Sequence, residues 1–484
     1  MASVIDLGTA HLPSRSSAVG RTWVAACSVL LVGISLPAAS VELVMEGTVA
    51  GIQSDNVSPG SPVRGNASLG VARIGAELRS ESRRLSLDVD TDITHYEYFE
   101  GDFGSDTLPQ ISGEATWQLL PERLIWFFRE ELGQVGGQSF GELRPLVREN
   151  VNYFTTGPTL VLPLGGRNSL EVSATYSAVD YSGFDLDSTR YEGTAQLRRR
   201  LSERRSLSGV YSYTKIDYRN LPSFDGYDRN VASLRLESTA RRGSLLIEGG
   251  VSQVSRPMGG EESAPLFNFE IQRQIGAHNT LGFQVSTQSS DAAEAFRDGI
   301  GTSISPGGEV ASPLTAAPYV LDSSVLGWSY DATRLAAQFR AAFERERYDD
   351  QVIADRDRVG GTFSVRYRWN SRSETAAAVT HERNSSDDPA YNDKNWAFDL
   401  SYSHRIVRDL YGTISYTRFE RDRDFASASE AENRWMLTLA FRPAPFTIGR
   451  PLGSGVRSRP GDMRRRSIGG DLTPATTSEP AAQP

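Results

Sequence analysis

The stretch Arg84-Leu85-Ser86-Leu87-Asp88-Val89-Asp90-Thr91-Asp92-Ile93-Thr94 alternates apolar and polar side chains without a break. Successive side chains of a β-strand point to opposite faces. Leu85, Leu87, Val89, Thr91 and Ile93 therefore share one face, and Ser86, Asp88, Asp90, Asp92 and Thr94 share the other. A helix would scatter the three aspartates around its axis, so the period argues for a strand. The run is long enough to cross a bilayer, which takes roughly 9–11 tilted residues. A charge facing lipid at mid-depth costs about 2–4 kcal/mol for Arg or Lys and less for Asp. The aspartates are therefore expected to face a watery interior. One such strand also suits a soluble sandwich, and its repetition decides the matter.

The repetition is there. Tyr191–Arg198, Leu207–Thr214, Leu281–Ser286, Thr362–Trp369 and Trp396–Ser403 alternate in the same way. Short turns at Ser80–Arg83, Pro121-Glu122, Gly165–Arg167, Ser202–Arg204, Arg241–Gly243, Ala277–Asn279, Asn370–Arg372 and Val407–Asp409 separate longer acidic loops. Those loops include Glu100–Thr107, Asp291–Ala317 and Asn384–Asn395. The turns recur at roughly 35–45 residues, with one wider gap around the long loop. Short turns on one side and longer loops on the other are the asymmetry of an outer-membrane barrel. Tyr96, Tyr98, Phe99, Trp328, Tyr330, Trp369 and Trp435 sit at strand ends, as interfacial girdles do. The expected fold is all-β: a transmembrane, antiparallel, up-and-down β-barrel of about 18–20 strands.

Composition agrees. The 484 residues are 39% hydrophobic and 23% charged, and no run after the N-terminus approaches the 18 apolar residues of a helical span. A net charge of -9 argues against nucleic acid as a partner. At the N-terminus, Arg15 and Arg21, an apolar Val24–Leu36 and Ala38-Ala39-Ser40 form the pattern of a cleaved secretory signal. Three segments follow: a signal peptide over 1–40, a barrel over 41–442 and a disordered periplasmic tail over 443–484, which is rich in Pro, Gly, Ser and Arg. The single cysteine, Cys27, lies in the leader, so the mature chain is expected to have no disulfide and no thiolate chemistry.

Candidate chemistry is sparse. Asp88, Asp90 and Asp92 form Asp-x-Asp-x-Asp, but the glycine and distal glutamate of a calcium loop are absent, so no metal is expected there. They read as a lumen-lining acidic ladder, with Arg198, Arg366 and Arg368 as a basic counterpart across the interior. The long loop Asp291–Ala317 is placed to fold inward and narrow the pore, although its sequence does not decide this. Of five histidines none lies in a serine-nucleophile motif, so neither catalytic nor cofactor-binding residues are expected. His95 and His381 stand near outer strand ends, where an outer-membrane lipase would need a base. The last strand, Arg434–Phe441, ends on an aromatic residue and resembles the closing signal read by the barrel assembly machinery.

Gly51–Asn56, Leu119–Leu124, Tyr176–Tyr181, Leu201–Leu207 and Tyr227-Asp228-Arg229 form a further set of short segments. They resemble those of outer-membrane β-barrel proteins of PEP-CTERM/exosortase exopolysaccharide systems. The resemblance covers most of the barrel, while the long tail departs from it. It implies a cell-surface role near exopolysaccharide export. The resulting expectation is a porin-like channel or scaffold, not an enzyme, linked to that export. Outer-membrane lipid, lipopolysaccharide, the assembly machinery and export components are its expected partners. A non-conducting structural or adhesin-like barrel is the alternative, and an outer-membrane lipid hydrolase the third.

Overall fold

The computed structural model describes residues 40–56, 66–99, 104–136, 148–183, 185–219, 221, 226–257, 260–299, 315–349, 353–387, 392–424 and 430–448. The expected signal peptide, almost all of the tail and parts of several loops lie outside these residues. Thirteen strands come first: β1 Ser40–Ser54, β2 Ala67–Glu81, β3 Leu85–Tyr98, β4 Asp106–Leu120, β5 Leu124–Gly136, β6 Arg148–Pro163, β7 Asn168–Tyr181, β8 Ser188–Ser202, β9 Arg205–Tyr218, β10 Tyr227–Ala240, β11 Gly243–Arg256, β12 Gly260–Ile275 and β13 Asn279–Ser290. A short helix, α1, spans Ala292–Gly299. Then come β14 Tyr319–Asp331, β15 Leu335–Tyr348, β16 Arg356–Arg368, β17 Ser373–Ser386, β18 Asp393–Arg405, β19 Leu410–Arg423, β20 Glu430–Phe441 and the three-residue β21 Phe446–Ile448.

Every strand from β1 to β20 pairs antiparallel with its sequence neighbours, and β20 returns to β1. The result is a closed ring of twenty strands, the upper value expected from the sequence. Closure removes the free sheet edges that would otherwise expose unpaired backbone groups. Among the described residues no helix is long and apolar enough to cross a membrane.

Alternation gives the ring two faces. Ile74 stands opposite Ile93 in the β2–β3 register, and the two are 66% and 53% exposed. Val49, Leu197, Leu234 and Leu437 are likewise outward and more than half exposed. A soluble protein does not leave a continuous apolar belt of this kind in water. The opposite face of the same strands carries paired charges. Arg73 meets Asp92 at 2.7 Å, Arg129 meets Glu114 at 2.9 Å, and Arg235 meets Glu248 at 3.0 Å. Apolar outside and polar inside is the architecture of outer-membrane barrels.

Two expectations about chain organisation are corrected. The wide gap between turns is divided by a tight turn at 332–334 linking β14 to β15, where the Ala332 amide donates to the Leu335 carbonyl at 2.9 Å. Asp331-Ala332-Thr333-Arg334 contains none of the Gly, Pro or Asn residues that usually mark turns. The sheet also continues beyond Phe441. β20 covers β1 from Gly47 to Ser54, and β21 covers Val41 to Leu43. Phe446 and Phe441 are separated by five residues against four on β1, so β20 and β21 behave as one strand interrupted by a bulge at 442–445. Pro443 and Pro445 fall in that bulge, where a missing N–H costs the ladder nothing. The start of the expected tail is therefore part of the sheet, and residues 449–484 lie outside the described ones.

Candidate functional site

The end of the ring bearing the longer loops holds an apolar lining on its inner face. Val135 of β5, Val151 and Tyr153 of β6, and Val179 and Tyr181 of β7 are all buried there. Ala293 and Phe296 of α1 pack on this patch. The segment also reaches β10 through the Glu294 side chain and β14 through the Asp291 carbonyl, and only a segment inside the ring can touch all these walls. Of the long loop Asp291–Ala317, residues 291–299 thus fold inward; 300–314 lie outside the described residues.

Asp291 starts the helix in the manner of an N-cap. Its Oδ1 accepts from the Ala293 and Glu294 amides, each at 3.0 Å. The same carboxylate takes two bonds from Arg190 of β8, Nη1 to Oδ2 at 2.8 Å and Nη2 to Oδ1 at 3.0 Å. The Tyr227 hydroxyl of β10 donates to Oδ2 as well. Arg190 and Asp291 are 4% and 0% exposed, so this is a desolvated, bidentate ion pair. One helical turn on, Glu294 receives both terminal nitrogens of Arg229 on β10, and Arg229 Nη1 also donates to the Ser289 carbonyl at 3.0 Å. Arg297 lies over the Tyr153 ring at 5.5 Å from its centre.

Burial alone would raise the Asp291 carboxyl. The Arg190 charge and the bonds from Arg190 and Tyr227 outweigh it and hold the group well below the usual carboxylate range. Beneath Phe296 lies Gly133 of β5, where an added Cβ would stand 3.5 Å from the ring, an ordinary contact, and a longer side chain would need the space the ring fills.

None of Arg190, Tyr227, Arg229, Asp291 or Glu294 had been singled out as a site from the sequence. A local signal exists: Asp291-Ala292-Ala293-Glu294 is an N-cap with an acid three residues on, the start signature of a helix, set within a strand-patterned chain. The arginines carry no such signal, because Arg190 lies 101 residues from its partner.

The residues that were singled out do not converge. Asp88, Asp90 and Asp92 lie on β3, facing away from Ile93, and their bonds are local. Asp92 binds Arg73 at 2.7 Å, and Asp88 approaches Arg79 at 3.5 Å, both from the adjacent β2. Arg198 on β8 binds Glu237 of β10 at 2.9 Å. Arg366 on β16 stands between Ala336 and Ala376 in register, and Arg368 points one nitrogen at the Thr333 carbonyl, 3.5 Å away. Asp88, Asp92 and Arg198 are thus paired with nearby strands along the wall.

Of the histidines, His95 bonds Thr107 at 2.9 Å and His381 stacks on Trp396 at 4.2 Å between ring centres. Ser373 lies 2.9 Å from His404 Nδ1, at the turn end. Among the described residues there is no group of three or more His, Cys, Asp or Glu placed to hold a metal ion.

No protein-family profile matches the chain, and no curated protein matches it. Solved structures do share the barrel. A structure of the FrpB iron transporter from Neisseria meningitidis aligns with a TM-score of 0.45 at 9% identity, over 86% of this chain and 82% of that one. The siderophore receptor PirA from Pseudomonas aeruginosa aligns at 0.42 and 9%, over 83% and 80%. The copper transporter OprC aligns at 0.38 and 11%, over 83% and 80%. These names are of transporters and receptors, not of porins or exopolysaccharide exporters. Nothing in these alignments supports the expectation of a porin-like channel or scaffold in PEP-CTERM-linked exopolysaccharide export, or its adhesin-like and lipid-hydrolase alternatives, and that expectation is corrected on the geometry of the mouth. A physical reason lies in the mouth itself: a passive pore needs an unobstructed opening, whereas here a helix is fastened across the inner wall.

Proposed function

We propose that this chain is an outer-membrane uptake receptor, with residues Asp291–Gly299 as the gate between the loop side and the lumen. One observation carries the reading: the segment is held inside the ring by side chains, with its backbone outside the sheet ladder. A strand cannot leave a closed barrel without breaking the ring, but a segment fastened by two ion pairs and one phenyl ring can. Solute arriving from the loop side displaces the helix and passes down the charged wall, where Asp88, Asp90, Asp92, Arg198, Arg366 and Arg368 line the lumen.

The supporting assignments follow from the same frame. Residues 1–40 act as the secretory leader and are removed. The chain is inserted by the barrel assembly machinery and sits among outer-membrane lipid and lipopolysaccharide.

Planar-bilayer recording of the purified mature chain tests this, with Phe296→Asp as the released form. A charge at a position now 0% exposed in an apolar cluster cannot stay docked. The wild type is expected to open rarely and briefly, and Phe296→Asp to give steady steps at least tenfold larger in mean current. A wild type as conductive as the variant, or silence from both, would overturn the proposal.

A further inference from the structure

Which solute the gate admits is suggested by what the wall does with the gate's own acids. We infer that Arg190, Tyr227 and Arg229 form a preformed receptor for a small solute bearing two oxyanion groups, and that Asp291 and Glu294 occupy it when the solute is absent. The inference rests on the uptake reading and names its substrate class.

The division of labour between elements is the first support. Both arginines belong to barrel strands, β8 and β10, so their positions are set by the sheet. Both acids belong to the inserted segment. If the segment leaves, its two negative charges leave with it and two positive charges stay behind, close together on the wall. Like charges held together by the sheet repel one another, and an anion between them relieves that repulsion. An anion that takes the vacated places therefore stabilises the open gate.

Geometry sets the class more narrowly. Each guanidinium presents its two terminal nitrogens to one acid, the planar fork that matches a carboxylate or a phosphate. The two acids are three residues apart, which on a helix puts their Cβ atoms about 5–6 Å from each other. Arg190 Nη1 also comes within 3.9 Å of Glu294, so the two forks converge on neighbouring points. A solute with two oxyanion groups at that spacing, such as a short dicarboxylate or a diphosphate, would satisfy both.

The third support is unused donor capacity. The Nε atoms of Arg190 and Arg229 are buried and have no hydrogen-bond partner while the segment's acids are in place. Buried donors are rarely left so. A larger anion than a carboxylate side chain, free of backbone constraint, can reach them. The hydroxyl of Tyr319, now 3.5 Å from the Asp291 carbonyl, stands at the same site. A cation finds none of this, since the wall without its segment is positive.

The segment then behaves as a tethered competitor, and neutralising it strengthens solute binding. The test uses isothermal titration of the full mature chain in detergent at pH 7, with succinate, diphosphate, choline and sucrose as probes. Asp291→Asn with Glu294→Gln removes both charges, and asparagine keeps the helix N-cap. Wild type is expected to bind succinate or diphosphate and neither control, and the double variant to bind the same anion at least tenfold more tightly. Arg229→Lys, which keeps the charge and loses the fork, is expected to weaken binding at least fivefold in the double-variant background. Succinate and diphosphate distinguish a carboxylate cargo from a phosphorylated one. Anion binding unchanged or absent in the double variant, or a preference for choline, overturns the inference. Sustained conductance by Phe296→Asp together with no anion binding would remove the dianion site and leave the uptake reading standing. Tight anion binding with silent bilayers would do the reverse.

Discussion

Arg190 gives Asp291 both of its terminal nitrogens, at 2.8 and 3.0 Å, across 101 residues of chain and inside a ring of twenty strands. The strand residue is fixed by the sheet and the loop residue is not. This pair therefore decides whether the inserted segment stays.

The first consequence concerns pH. The Asp291 carboxyl is held below its ordinary value, so its ion pair favours the docked segment at any pH above the free carboxylate value of about 3.9. That contribution begins to weaken below about pH 4 and is lost as pH falls through the lowered value. A spin label on the segment is expected to report the same immobilised state from pH 5 to pH 8 and to loosen in acid below about pH 4. Asp291→Asn is expected to be mobile throughout and to lose the acid limb.

Breaking the pair from the wall side is more damaging. Arg190→Ala leaves a carboxylate buried without its partner, which costs about 3–5 kcal/mol. With about 1.4 kcal/mol per tenfold, trypsin cleavage after Arg297 in proteoliposomes should accelerate about a hundredfold or more. Arg190→Ala combined with Asp291→Ala removes both charges and should recover much of the protection. Equal cleavage in wild type and Arg190→Ala would mean the pair does not hold the segment.

Gly133 offers a test from the apolar side. A Cβ there meets the Phe296 ring at 3.5 Å, ordinary contact, so Gly133→Ala should leave trypsin protection as it is. A leucine needs the space the ring fills, and overpacking of this kind costs about 1–3 kcal/mol. Gly133→Leu is expected to raise cleavage after Arg297 roughly tenfold while heat-modified gel mobility shows the barrel intact.

The barrel was legible because its information is local. Leu87, Val89 and Ile93 against Asp88, Asp90 and Asp92 already separate the two faces, and the same alternation recurs strand after strand. What escaped was whatever depends on distant partners or on unmarked backbone. Nothing near Arg190 in sequence says that it will meet Asp291. The turn at 332–334 has no Gly, Pro or Asn, and Pro443 and Pro445 read as the end of the sheet although they sit in a bulge that β21 continues beyond. The acids of β3 were recognisable as one face, but their partners Arg73 and Arg79 follow from register, which the alternation alone does not supply.

The outward face gives the most direct check of the membrane reading. Ile74 lies near the middle of β2, opposite Ile93, and is 66% exposed to whatever surrounds the ring. If that is hydrocarbon, Ile74→Arg should lower stability by about 2–4 kcal/mol in urea unfolding from liposomes. Gln196 on β8 faces the other way and bonds Ser208, so Gln196→Arg should change stability by less than about 1 kcal/mol, since an arginine there keeps its head in water. The contrast matters more than either value. Equal effects at the two positions would mean that the two faces meet the same solvent, and a ring with water on both sides could not serve as a membrane receptor.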